Sequence, residues 1–321
     1  MRLAWNFTLT PFLPVISLLF LPLGTNGSDM VDNYIEVTGD PFGPEFYWTV
    51  EAAVAHRNLV PSEFDTHRSD PGRTILETMQ SRFPTSRFYK VDLAAGEYHP
   101  RIARPYVTSH DDSPGHNPDQ SERARRTRII ATGQLDALIQ ELKRICMVVH
   151  PDRANCEVYG HEIRNLMVIA CTEVEAQWKN IMHENGQGAE RTSDYIKLSR
   201  PMRLTEYRVA LPWYPWLEPI APFKNWIVGA LPSQSLPWYT AYNHVKHDRE
   251  SNFAQATLGN ALSAVAGCFV MLCAQYGWDF ARRGEAAGDA FFLLADRPTW
   301  LPAEIYIPPR GREWAPRPLA F

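Results

Sequence analysis

Apolar residues recur with a helical period along two stretches in the middle of the chain. Leu135, Leu138, Ile139, Leu142, Ile145 and Cys146 stand at spacings of three and four, which makes one continuous apolar face. They predict a helix over residues 132–149. His150-Pro151-Asp152 stops it, because the residue before a proline avoids the helical region. A second stripe of Ile163, Leu166, Met167, Ala170, Val174, Trp178 and Ile181 predicts a helix over 159–182, ended by Asn185-Gly186. Two such helices joined by a short polar turn pack as an antiparallel hairpin.

The pattern changes after residue 198. Pro201, Pro212, Pro215, Pro219, Pro222, Pro232 and Pro237 are interspersed with Trp213, Tyr214, Trp216 and Trp226. Prolines forbid a long helix here, and the aromatics demand burial. The segment is expected to wrap across the helical core, with a strand near residues 208–211. A third helix starts near Trp238 and a fourth covers 253–275, either separate or as one helix, kinked or unbroken. Residues 261–274 are almost wholly apolar. That is short for a membrane span and reads as a central buried helix, with Gly277 as its cap.

The first hundred residues give weaker signals. Residues 34–38 and 88–93 read as strands, and 50–54 and 74–79 as short helices; no fold is assigned to the region. Residues 109–122 form a polar stretch of Asp, Ser, Pro and Gly without apolar period, hence a linker. The tail reads as strands near 291–295 and 304–307. The expected organisation is an apolar leader (1–29), a mixed region (30–108), a polar linker (109–126), a helical domain (127–285) and a strand-like tail (286–321). As a fold class this is mainly α: a four-helix arrangement with a proline- and aromatic-rich crossover, short accessory strands and an irregular N-terminal extension.

Composition narrows the function. The formal charge is −4 and hydrophobic residues make up 45%, so a core is expected and no overall field attracts nucleic acid. A local basic run, Arg123, Arg125, Arg126 and Arg128, is either a phosphate contact or a solvated helix start or linker end. The five cysteines contain no Cys-x-x-Cys pair. Four lie among aliphatic residues, which fits a reducing compartment and a cytoplasmic protein. Residues 7–24 are apolar after Arg2 and read as a signal peptide, which would make the protein secreted, or as sequence preceding a true start at Met30. Pro11, Pro14 and Pro22 oppose a membrane anchor.

One run carries candidate chemistry: Tyr242-Asn243-His244-Val245-Lys246-His247-Asp248-Arg249. On a continuous helix Asn243, Lys246, His247 and Glu250 share a face. This Asn-x-x-Lys-His run, preceded by a helical hairpin and followed by a core helix, resembles the HEPN superfamily over about residues 130–278. The resemblance implies a four-helix fold, metal-independent cleavage of RNA and a homodimer. The family signature places an Arg before the polar residue; Tyr242 occupies that position here.

Cleaving RNA without a metal needs a base for the 2′-hydroxyl and cations for the charged phosphorane. Under the resemblance His247 is the base or acid, Lys246 or Arg249 the cation and Asn243 the phosphate-orienting group. The bland alternative gives His247 a bond to Asn243, and Lys246 a pair with Glu250. His244 and His247 lack a third metal ligand, so no metal or cofactor is expected. Glu175 is read as a structural partner of Lys179, and Glu173 as the carboxylate able to reach the motif. The expected function is RNA binding or weak ribonuclease action. The alternative is a non-catalytic interaction module using the aromatic segment 211–242.

Overall fold

The computed structural model describes residues 31–38, 46–59, 62–106, 117–188, 191–227, 229, 232–278, 280, 291–309 and 313–321. The expected leader, and residues 107–116 of the polar stretch, lie outside these. From Val31 onward the chain forms one compact unit.

The N-terminal region is a regular sheet. Strands β1 (Asp32–Thr38), β2 (Phe46–Glu51), β3 (Val54–Leu59), β4 (Ser62–Arg68) and β5 (Ser86–Val91) pair in the order β4-β3-β2-β1-β5, antiparallel throughout. Helix α1 (Ile75–Arg82) lies between β4 and β5 in sequence and opens with a capping box of Thr74 and Glu77, as such pairs do. Because neighbouring residues of a strand point to opposite faces, the sheet serves two small cores. Trp48, Val50, Ala55, Ile75 and Met79 pack together with Tyr34, Phe83 and Phe88. Ile35, Tyr47, Val91, Leu93 and Tyr98 pack with Ile305, Tyr306 and Ile307 from the far end of the chain.

That far end is held by main-chain pairing. Strand β6 (Glu97–Tyr98) runs parallel to β9 (Ala315–Pro316). Gly96, at φ +85°, accepts from Ala315 N and donates to Ile307 O. A Cβ there would lie 2.8 Å from the Cβ of Pro309, so this crossing requires glycine on both counts.

The helical layer follows. α2 (Glu122–Cys146) and α3 (His161–Glu184) come first, then short α4 (Thr192–Tyr195) and strand β7 (Arg208–Ala210). α5 (Pro232–Ser235), α6 (Pro237–His247), α7 (Arg249–Asn252) and α8 (Leu258–Tyr276) complete it. Strand β8 (Leu293–Asp296) pairs antiparallel with β7. α3 lies along α8, and both α2 and α6 pack on these two. Every member of the two apolar stripes is buried. α8 is long and apolar enough to cross a membrane, but 83% of it is buried inside the protein, which makes it the core helix. The crossover covers this core as expected: Trp226 stacks on Trp178 of α3 at 4.5 Å, with Phe223, Trp238 and Tyr239 around the pair.

The mainly α, four-helix HEPN-like fold with an irregular extension is therefore corrected: the five-stranded antiparallel sheet and two smaller ones make the chain mixed α/β. Residues 50–54 are not a helix but the end of β2, a turn with Ala52 at φ +34° and the start of β3. Residues 304–307 make a single bridge, Tyr306 to Tyr106, instead of a strand. Residues 122–126 of the polar stretch already belong to α2, whose N-cap is Ser121.

Candidate functional site

α6 begins where Leu236 is extended and Pro237 occupies the first helical position, a place that needs no N–H. The Trp238 indole donates to Pro222 O at 2.8 Å, and Trp238, Tyr239, Ala241, Tyr242 and Val245 are buried. The opposite side of the helix therefore faces outward, and it carries the motif.

The motif is interrupted. α6 ends at His247, and Asp248 (φ −142°, ψ 82°) caps the separate α7 by accepting from Ser251 N at 3.2 Å. The Ser251 side chain first, and this backbone bond second, hold the Asp248 carboxyl below its usual pKa. Asn243, Lys246 and His247 share α6; Arg249 and Glu250 lie beyond the break, so the single polar face expected over 243–250 stops at His247. Asn243 is half-buried, while Lys246, His247 and Arg249 are exposed. No hydrogen bond or ion pair engages His247 among the described residues. His244 Nδ1 instead bonds Gln255 Oε1 at 2.8 Å. No group of three or more metal-ligating side chains is gathered among the described residues.

Lys246 is committed. Its Nζ donates to Tyr242 Oη at 2.9 Å, and Tyr242 Oη donates to Glu175 Oε2 at 3.2 Å. Tyr239 Oη binds the other oxygen, Glu175 Oε1. The bond to Tyr242 pushes the Lys246 pKa up, with the negative charge of Glu175 acting in the same direction. The sequence reading had the two glutamates reversed. Glu175 is the one that meets the motif, whereas Glu173 accepts from Gln177 Nε2 at 2.9 Å. That bond opens a polar chain through the core: Gln275 Nε2 donates to Gln177 Oε1 at 3.0 Å, and Arg101 Nε to Gln275 Oε1 at 2.8 Å.

A catalytic role needs a base and a free cation around one reacting group. Here the histidine stands in solvent, the lysine is held by a tyrosine, and Arg249 sits past a helix break. The arrangement can contact an anion at the surface; it assembles no enclosed reaction centre.

A second surface feature lies where the proline- and aromatic-rich loop meets the end of α2. The proline- and aromatic-rich loop leaves Trp213 at 61% and Trp216 at 52% exposure, and the end of α2 leaves Met147 at 86% and Val148 at 82%. The two segments meet: Trp216 Nε1 donates to Pro151 O at 2.8 Å and its ring stacks on His150 at 5.3 Å. Proline and tryptophan density was the sequence signal; which rings would face outward was not readable from it. Comparison with protein-family models, with curated proteins and with solved structures finds no match to this chain.

Proposed function

We propose that this protein is a non-catalytic interaction module that docks a second copy of itself through Met147, Val148, Trp213 and Trp216. The observation that carries the reading is the exposure of these four apolar side chains at one joined site. Exposed apolar patches of this kind mark association surfaces, and tryptophan supplies much of the binding energy where it is pre-positioned. Trp216 is pre-positioned by Pro151 and His150. The five free cysteines support a reducing compartment such as the cytoplasm.

The test is light scattering and sedimentation across micromolar concentrations, with wild type beside Trp213→Ala and Met147→Lys. A wild-type dimer that both variants shift to monomer supports the reading. A wild type that stays monomeric across the range, or variants that still dimerise fully, overturns it.

A second reading is RNA contact through the outward turn of α6 and the start of α7, favoured by the joint exposure of His244, Lys246, His247 and Arg249. Its test is binding and cleavage of a mixed single-stranded RNA pool in EDTA, with wild type beside His247→Ala. Cleavage lost only in the variant would establish a metal-independent ribonuclease. Neither binding nor cleavage by the folded wild type ends this reading.

A further inference from the structure

Where α2 begins, it walls a cavity of about 110 Å³ together with the segment around Arg101 and the end of α8. Three observations there point to one chemistry. First, Arg101 is buried, held at φ +56°, and its described bond is to a neutral amide, Gln275. No carboxylate forms an ion pair with it among the described residues, and a buried charge left without a counter-ion is costly.

Second, Tyr276 is only 8% exposed and lines the same cavity, yet its buried hydroxyl finds no acceptor for its proton among the described residues. Burial, the largest effect, keeps its pKa above the usual value, while the Arg101 guanidinium beside it acts in the opposite direction through its charge and as a donor toward the hydroxyl oxygen. The hydroxyl therefore stays protonated and is a donor without an acceptor. Third, the wall holds Arg123, Arg125 and Arg128 besides Arg101, against the carboxylates of Asp119 and Glu184. Glu184 is already paired with Arg123 at 2.9 Å, and Asp119 accepts from Ser121 N at 2.9 Å. The N-terminal turn of the 25-residue α2 adds the positive end of its dipole.

We propose that this cavity binds a phosphate group, as the free ion or as the phosphoryl end of a small phosphomonoester, with Arg101, Arg128 and the Tyr276 hydroxyl as its ligands. Excess positive charge selects an anion. Several donors in a confined volume select a compact oxyanion with several acceptors over chloride. The cavity has room for the phosphoryl group and for part of what it is attached to. This site is separate from α6 and from the tryptophan patch, and stands or falls independently of both.

The experiment is calorimetric titration at pH 7.5 and constant ionic strength, with inorganic phosphate and phenyl phosphate as probes and chloride as control. Wild type is compared with Tyr276→Phe and Arg128→Gln. Tyr276→Phe removes a hydroxyl whose proton has no acceptor among the described residues, so the variant folds with a Tm in chloride close to that of wild type. Expected is saturable binding by wild type, weakened about tenfold or more in each variant, the loss of one hydrogen bond to a charged group. Tighter binding of phenyl phosphate assigns the site to phosphomonoesters, and binding of inorganic phosphate alone assigns it to the free ion. No saturable binding of either probe up to tens of millimolar, or binding unchanged in both variants, overturns the proposal.

Discussion

Two carboxylates, one in the sheet and one in the helical layer, show how differently this protein uses a buried acidic group. Glu36 in β1 is enclosed, and every lone pair has a donor. Arg57 grips it with Nε at 2.8 Å and Nη2 at 3.0 Å, Trp48 Nε1 donates at 3.0 Å and Ser86 Oγ at 2.6 Å. Arg57 in turn lies over the Phe46 ring at 3.8 Å. Glu175 in α3 is half-buried, and its chain of tyrosines runs outward to a solvated ammonium. The closed cluster has no capacity left for a ligand, so it specifies strand register. The open one ends at the surface, beside His247. Polar residues in this chain are therefore informative only together with where their hydrogen bonds terminate.

The largest effect is expected from breaking the closed cluster. Glu36→Ala removes the shared acceptor of Arg57 Nε and Nη2, Trp48 Nε1 and Ser86 Oγ, and should cost about 3–5 kcal/mol, read as a fall in the midpoint of urea unfolding. A loss below 1 kcal/mol would show that the sheet does not depend on this network.

Acid sharpens the contrast on the sheet side. His99 is buried where the end of the chain crosses, with Nδ1 bonded to Arg317 O at 2.8 Å. Desolvation first, and Arg104 second, lower its pKa from 6.5 to about 4. The folded state thus holds it neutral while the unfolded chain protonates near 6.5. Its contribution is complete above that pH and is lost as pH falls toward 4, on the order of 3 kcal/mol in all. Stability measured from pH 7 to 4 should show this slope, and His99→Gln should flatten it.

Opening the second cluster should matter less. Tyr242→Phe removes two bonds at a partly solvated site, worth about 1 kcal/mol, and the Lys246 pKa should fall back toward its usual value, read by NMR titration. Smallest of all, His247→Ala should change stability by no more than about 0.5 kcal/mol, as expected for an exposed side chain without hydrogen-bond partners among the described residues. A loss above 1 kcal/mol would mean that His247 is structural.

The helices were legible because burial follows period. Leu135 to Cys146, Ile163 to Ile181 and the apolar run of α8 put their side chains where their spacing said. α2 was read ten residues short, since its first turns carry Glu122, Arg123, Arg125, Arg126 and Arg128, with Ile129 and Ile130 exposed; a helix start whose neighbours are met by polar side chains shows no apolar period there. The sheet was largely hidden for a related reason. β3 reads Val-Ala-His-Arg-Asn-Leu and β1 buries Asn33 and Glu36, so inward positions carry polar residues whose partners lie on other strands. The break in α6 was signalled locally by Asp248 three residues before Ser251, an N-cap spacing. The reach of Glu175 to α6 was not, because it depends on how α3 and α6 cross.

The pairing of β6 with β9 has a temporal meaning as well as a spatial one. Residues 32–98 supply most of the core on the second face of the sheet, but Ile305, Tyr306 and Ile307 complete it. About two hundred residues separate the two parts, roughly 10 to 40 seconds of synthesis. During that interval the helical layer can collapse on its own local contacts, while the sheet waits with Ile35, Tyr47 and Tyr98 uncovered on the growing chain. The sheet is first in sequence and last to be sealed, so this interval is when the nascent protein is most exposed to unwanted strand pairing.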